Sequence, residues 1–296
     1  MRRSSQVLLA AFAAATTTTL VRRVLHATHP GGRTRWERLN HRGEIISMVE
    51  GPAVGAGLVV GGLCASGGQR NQCATVIATA GATGFGLIDD LFEDTTTRSK
   101  GLKGHLGALA RGHVTTGGLK VLGIGASAFA ASLALPSNKR TAVDVVVNTA
   151  LIAGAANLVN LLDLRPGRAA KATGAAALIA LLRWQDPRSA ATLGAVTAAV
   201  PADLDEREML GDSGANALGA LAGVTVAAHG TRTTRVVAVA GIVALTLASE
   251  KVSFSRVIEQ TPWLHRIDMF GRRPLDSTTQ GAPDQSASDT AQSREL

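Results

Sequence analysis

Nine apolar blocks follow one another along this chain, and they restrict its fold more than any other feature. Each block is longer than an ordinary β-strand, and its Ala and Leu content favours helix. Several are shorter than the ~20 residues that a bilayer core requires. The sequence nevertheless predicts an all-α, polytopic integral membrane protein with about nine transmembrane helices. The blocks lie near residues 6–21, 51–66, 73–88, 115–135, 142–159, 171–183, 188–201, 214–229 and 235–249.

Composition agrees with a membrane protein. The 296 residues are 46% hydrophobic and 18% charged, whereas a soluble domain carries about 25% charge. The 33 glycines suit closely packed membrane helices, although aromatic residues for the interfaces are scarce. The net charge of +8 would also suit a nucleic-acid partner, but membrane proteins concentrate Lys and Arg in cytoplasmic loops. We therefore expect membrane lipids as a partner and no nucleic acid.

The same charges predict the orientation. Nine spans would place the loops 22–50, 89–114, 160–170 and 202–213 and the C-terminus on one side, with about 20 Lys and Arg residues, against about nine on the other. This side should be cytoplasmic in a multi-pass plasma-membrane protein. The start of the chain, with Arg2 and Arg3, also resembles a signal peptide, but we interpret it as the first span because later blocks are equally apolar.

The chain divides into two parts. Residues 1–275 hold all the apolar blocks and form the predicted transmembrane domain. Residues 276–296 are polar and cannot bury enough surface to offset their ordering entropy. We expect them to be a disordered cytoplasmic tail.

An acidic cluster closes the third apolar block. Asp89, Asp90, Glu93 and Asp94 would repel one another unless a cation relieves them. A divalent metal is one such cation, and a lysine of the run 100–105, such as Lys100 or Lys103, is another. Helix-end acids in a solvated loop are the plain alternative for this cluster.

Two further polar clusters end or begin apolar blocks on the same predicted side. Asn157, Asn160 and Asp163 recur along one stripe of a helix. The stretch 211–214, Gly-Asp-Ser-Gly, opens the eighth block, where free amides favour anions and a carboxylate can hold Mg²⁺ against a phosphate. Each motif alone is also explained by capping. Together they predict phosphoryl transfer between a soluble and a lipid-borne partner.

In order and topology these motifs resemble one family. Asp89-Asp90 after an apolar helix, Asn157-x-x-Asn160-x-x-Asp163 and Gly211-Asp212-x-Gly214-x-x-x-Leu218-Gly219 are similar to motifs of the polyprenyl-phosphate N-acetylhexosamine-1-phosphate transferases, which include phospho-MurNAc-pentapeptide translocase. The run 100–105 resembles their basic loop, and the similarity covers roughly residues 40–275. The resemblance implies Mg²⁺-dependent transfer of a sugar-1-phosphate from a UDP-sugar to a polyprenyl phosphate of undecaprenyl type, releasing UMP, for cell-envelope glycan assembly. It leaves a homodimer open.

The resemblance also implies roles for single residues. Asp212 would be the main Mg²⁺ ligand, with Asn160 beside it at the metal. Asp89 and Asp90 would be catalytic, engaging or activating the lipid phosphate. Substrate-binding roles would fall to Lys100 at a phosphate, Asp163 near the nucleoside, and Asn157 on the same stripe.

Departures from the family pattern keep two alternatives open. The second acid after Asp163 is lost, and the His-rich motif after the ninth span is replaced by residues 250–266. The sugar is therefore not predicted. One alternative is a UbiA-like intramembrane prenyltransferase, which also uses Asp-rich motifs and Mg²⁺. The other is a non-catalytic relative that binds lipid phosphate.

Overall fold

The structure, a computed structural model, is built almost entirely from α-helices, as the sequence predicts. It describes residues 3–64, 68–92, 115–137 and 141–274. About 80% of the described residues are helical. The basic run 100–105, with Lys100 and Lys103, and the predicted tail 276–296 lie outside the described residues, as do Glu93 and Asp94.

Eleven α-helices and one short hairpin make up the described part of the chain. The helices are α1 Arg3–Thr28, α2 Glu50–Leu63, α3 Gln69–Phe92, α4 Thr116–Ala134, α5 Ala142–Leu162, α6 Arg168–Trp184, α7 Pro187–Leu204, α8 Gly211–His229, α9 Arg232–Ser249, α10 Phe254–Gln260 and α11 Pro262–Met269. The strands are β1 Glu37–Leu39 and β2 Ile45–Ser47, which follow a 3₁₀ turn at Arg33–Trp36.

The nine apolar blocks correspond in order to helices α1 to α9. Within the described residues, four of these helices, α1, α4, α5 and α9, are long and apolar enough to cross a membrane. This finding supports a membrane protein. The other five are shorter or more polar, and α2, for example, has 14 residues.

Helix α8 lies at the centre of the bundle. Most of its residues are buried, and it packs against α2, α3 and α5. Small residues permit this packing: a Cβ atom on Gly223 would lie 2.7 Å from the Cα atom of Ile152 in α5. Membrane helices commonly associate through such small residues, because lipid gives apolar side chains no reason to prefer one another.

A β-hairpin, which the sequence patterns do not predict, covers one end of the bundle. Its strands pair antiparallel, with Arg38 opposite Ile46. The Asn40 side chain accepts hydrogen bonds from the backbone N–H groups of Arg42 and Glu44, at 2.8 and 2.9 Å, and so shapes the turn. The backbone of Ser47 also pairs with residues 207 and 209, which fastens the hairpin to the loop before α8.

Candidate active site

A cavity of about 400 Å³ opens where the C-terminal ends of α3 and α5 meet the N-terminal end of α8, beside the hairpin. Five of the seven predicted site residues line it: Asp89, Asp90, Asn160, Asp163 and Asp212. The remaining wall comes from Arg38, Gly211 and the apolar side chains of Leu39, Met48, Leu161, Leu164 and Met209. Three motifs that are far apart in the sequence therefore form one polar site with an apolar rim.

Asp90 joins α3 to the start of α8. Its two carboxylate oxygens accept hydrogen bonds from the backbone N–H groups of Asp212 and Ser213, at 2.9 and 2.8 Å. A carboxylate at a helix N-terminus satisfies free N–H groups and interacts favourably with the helix dipole. The Arg38 guanidinium donates to the carbonyl oxygen of Asp90. Asp90 thus fixes the geometry of the site, with both carboxylate oxygens engaged by the protein.

Lys120 connects the other two acids, and sequence reasoning missed it. Its ammonium donates to Asp89 at 2.5 Å and also to Asp212. A charge inside a membrane segment is expensive and marks function by default. Lys120 is the one charged residue of the apolar block 115–135, and that signal could have identified it. The sequence predicts a divalent metal or a lysine of the run 100–105 as the cation beside these acids; among the described residues, Lys120 from α4 is a cation that lies there.

Of the three polar residues at the end of α5, Asn160 and Asp163 line the cavity and Asn157 does not. Asp163 follows the last residue of α5, and Asn160 lies one turn earlier, both on the cavity wall. Burial raises the pKa of Asp163 well above its ordinary range, and the carboxylates of Asp203, Asp212 and Asp90 raise it further. Asn157 is exposed and is not among the described residues that line the cavity.

The cavity contains oxygen atoms of the kind that Mg²⁺ binds. Among the described residues, no group of three or more His, Cys, Asp or Glu side chains has the spacing of a ready metal site. Mg²⁺, however, is usually held by one or two carboxylates together with substrate phosphates and water. Asp212 and Asn160 supply a carboxylate and an amide oxygen, and the buried Oδ1 atom of Asp89 has no hydrogen-bond partner within the described part of the chain. The residues present fit a metal that binds together with its substrate.

The C-terminal helices pack against the same end of the bundle. Arg168, at the start of α6, donates to both carboxylate oxygens of Asp268 in α11, at 2.8 and 3.1 Å. Although burial opposes ionisation, these hydrogen bonds and the Arg168 charge hold the pKa of Asp268 below its usual range. Residues 250–274 are thus docked onto the bundle.

The C-terminal segment carries four basic side chains that could replace the missing His-rich motif: Lys251, Arg256, His265 and Arg266. All four are exposed, and none is among the described residues that line the cavity.

Comparison with models of known protein families and with curated proteins finds no match for this chain. The family resemblance therefore rests on the three motifs.

Proposed function

We propose that this protein transfers a sugar-1-phosphate from a UDP-sugar to a polyprenyl phosphate, with Mg²⁺, at the cytoplasmic face of the plasma membrane, and releases UMP. One observation carries the proposal: Asp89, Asp90, Asn160, Asp163 and Asp212 surround one cavity, and Lys120 links two of them. Carboxylates, an amide and cations beside an apolar wall suit a reaction between a water-soluble and a lipid-borne phosphate.

In this reaction an oxygen of the polyprenyl phosphate attacks the phosphorus atom that carries the sugar. The bond from that phosphorus to the bridging oxygen breaks, and UMP leaves with this oxygen. Both partners are anions, so positioning and charge neutralisation dominate catalysis. Arg38 lines the cavity, and Lys120 contacts two of the acids that line it. A bound Mg²⁺, for which Asp212 and Asn160 are the proposed ligands, would supply further neutralisation of the phosphates.

The two acids of the Asp-Asp pair receive different roles in this proposal. The Asp90 oxygens are both hydrogen-bonded to the start of α8, so Asp90 positions the backbone of Asp212. Asp89 retains a carboxylate oxygen with no partner among the described residues. We therefore assign to Asp89 the activation of the lipid phosphate, because its free oxygen can accept the proton of a P–OH group. Asp163 is left for the nucleoside side of the cavity, and Lys100, in the basic run, for a phosphate.

Nine membrane-spanning helices, α1 to α9, are part of the proposal. The polar cavity lies at one end of the bundle, and the Lys and Arg distribution favours the cytoplasm for that end. The apolar residues Leu39, Leu161 and Leu164 at the cavity offer a path for a polyprenyl chain.

The proposal is tested with purified protein in detergent, polyprenyl phosphate, Mg²⁺ and a panel of UDP-sugars, with UMP release as the readout. We expect Mg²⁺-dependent UMP release with at least one donor. Asp212→Asn should abolish it without unfolding the protein, because an amide cannot neutralise a metal as a carboxylate does. The matched control is Asp205→Asn, an exposed acid of the nearby loop. Consumption of a prenyl diphosphate without UMP release would instead favour a prenyltransferase.

A further inference from the structure

A second cavity, of about 520 Å³, adjoins the first, and we call it the acidic cavity. The two cavities share the wall residues Leu39, Asp163, Leu164 and Met209. Three more carboxylates, those of Asp203, Glu206 and Glu208, line only the acidic cavity. A ligand whose phosphates occupy the first cavity could therefore extend into the acidic cavity.

Two carboxylate oxygens at the acidic cavity lack donors. Asp203 and Glu208 are 3% and 6% exposed, and the Oδ2 atom of Asp203 and the Oε2 atom of Glu208 have no hydrogen-bond partner in the described part of the chain. The other oxygen of Glu208 lies 2.8 Å from a ring nitrogen of His26. Buried acceptors without donors cost free energy. A ligand that brings donors would therefore bind favourably here.

The carboxylate of Glu206, in the same cavity, does have hydrogen-bond donors. Its carboxylate accepts hydrogen bonds from Arg42 at 3.2 Å and from Asn40 at 3.1 Å. These partners fix Glu206 to the hairpin. The carboxylate oxygens that remain available to a ligand are therefore those of Asp203 and Glu208.

The chemistry of the cavity restricts the ligand. Arg165 and His41 also line the acidic cavity, but its four carboxylates outnumber them, so an anionic group would meet net repulsion. Hydroxyl groups of a sugar, in contrast, donate hydrogen bonds to carboxylates, as ribose hydroxyls do in nucleotide-binding proteins.

We propose that the acidic cavity binds hydroxyl groups of the donor, with Asp203 and Glu208 as acceptors, and rejects donors whose sugar carries a carboxylate. This inference rests on the proposed function, since it takes the donor to be a UDP-sugar. The hydroxyls belong either to the sugar ring or to the ribose. A site built to hydrogen-bond a hydroxyl discriminates strongly against a ligand that leaves its buried polar groups unpaired.

The test compares wild type with Asp203→Asn, Glu208→Gln and the control Asp205→Asn, whose side chain is exposed and outside both cavity walls. The KM values for UDP-glucose, UDP-glucuronate and polyprenyl phosphate are measured by UMP release, and donor affinities by calorimetry. For the first two variants we expect the KM for UDP-glucose to rise about tenfold and the preference over UDP-glucuronate to fall. The KM for polyprenyl phosphate should not change.

Calorimetry with UMP separates the two sources of the hydroxyls. If the cavity holds the ribose, both variants weaken UMP binding as much as UDP-glucose binding. If it holds the sugar ring, UMP binding is unchanged. Either result supports the proposal, provided that thermal unfolding midpoints stay near wild type for the variants.

Three outcomes would each contradict a different part of the argument: the acidic-cavity proposal, the proposed function, or both. Variants that match Asp205→Asn for every donor overturn the acidic-cavity proposal and leave the transfer reaction intact. A wild-type protein that binds UDP-glucose but releases no UMP with any UDP-sugar of the panel overturns the proposed function, while the binding comparison still decides about the cavity. A wild-type protein that neither binds nor turns over any UDP-sugar overturns both.

Discussion

Lys120 balances two carboxylates that would otherwise repel each other across the cavity. Its ammonium contacts Asp89 from α3 and Asp212 from α8, and the three side chains are mostly buried. Removing one partner of a buried ion pair leaves an uncompensated charge, and this is usually more harmful than never having had the pair. At the residue scale, Lys120 is therefore as important to the site as the predicted acids.

We predict that Lys120→Met abolishes UMP release and lowers the thermal unfolding midpoint. The loss of the ion pairs should cost about 3 kcal/mol of unfolding free energy. Lys251→Met, at an exposed position, is the control and should leave both quantities unchanged. Lys120→Arg should restore stability because it keeps the charge. Wild-type activity in Lys120→Met would contradict the role of the lysine.

Sequence patterns identify some residues of the site but not the contacts that these residues make. The acids Asp89, Asp90 and Asp212 are recognisable because charged motifs at the ends of apolar blocks are conspicuous. The different roles of these acids cannot be recognised from the sequence. The hydrogen bonds that Asp90 accepts from the start of α8 depend on how α3 and α8 cross. Asn157 shares a helical stripe with Asn160, yet it is exposed, because the polar end of α5 alone reaches the cavity.

At the scale of elements, the crossing of α3 and α8 builds the site. Gly86 lies one turn before the Asp-Asp pair, and a Cβ atom on it would lie 2.5 Å from the carbonyl oxygen of Asp212. Real Cβ atoms essentially never come this close to backbone atoms. The absence of a side chain at Gly86 therefore permits the approach that brings Asp90 to the N-terminus of α8.

We predict that Gly86→Ala reduces UMP release by at least about tenfold, because misplacing a reacting group by about 1 Å can cost a hundredfold in rate. Gly84→Ala is the matched control in the same helix, since no atom lies within 4 Å of its added Cβ. The control should retain full activity. Equal activity of the two variants would show that the close approach is not required.

The elements themselves were predictable to different degrees. Helices α1 to α9 follow from long apolar blocks, whose length and Ala content exclude strands. The hairpin was not predictable, because each strand has only three residues and shows no useful alternation. It is held by the turn at Asn40 and by pairing with the loop before α8, which are contacts that the sequence pattern does not display.

At the scale of the whole molecule, orientation can be tested by cysteine labelling. Cys64 and Cys73, both unpaired among the described residues, are first replaced by alanine. We predict that Gln285→Cys, near the C-terminus, reacts with a membrane-impermeant thiol reagent only after the membrane is opened, because the positive-inside rule places that end in the cytoplasm. Ser137→Cys, in the exposed turn after α4, should react from outside. Reaction of Gln285→Cys in intact cells would contradict the topology.

The C-terminal segment, residues 250–274, packs against the polar end of the bundle and contacts residues that are distant in the sequence. Arg168 pairs with Asp268, and the guanidinium of Arg42 in the hairpin turn donates to the carbonyl oxygens of Arg273 and Pro274, at 3.1 Å each. Segment, hairpin and α6 are thus joined beside the acidic cavity. These contacts hold the segment in place while its exposed basic side chains remain away from the cavity walls.

We predict that truncation after residue 275 preserves UMP release, whereas truncation after residue 249 abolishes it together with stability. The longer protein keeps the Arg168–Asp268 pair and the contacts of Arg42, and the shorter one leaves the Arg168 side chain, only 5% exposed, without its carboxylate partner. Asp268→Asn in the full chain should lower the unfolding midpoint in the same direction but less, because an amide still accepts a hydrogen bond. His265→Ala should have no effect on UMP release, since this exposed side chain is not among the described residues that line either cavity. If His265→Ala loses activity without losing stability, the segment acts on substrate directly; if the protein truncated after residue 249 is fully active, the segment is dispensable.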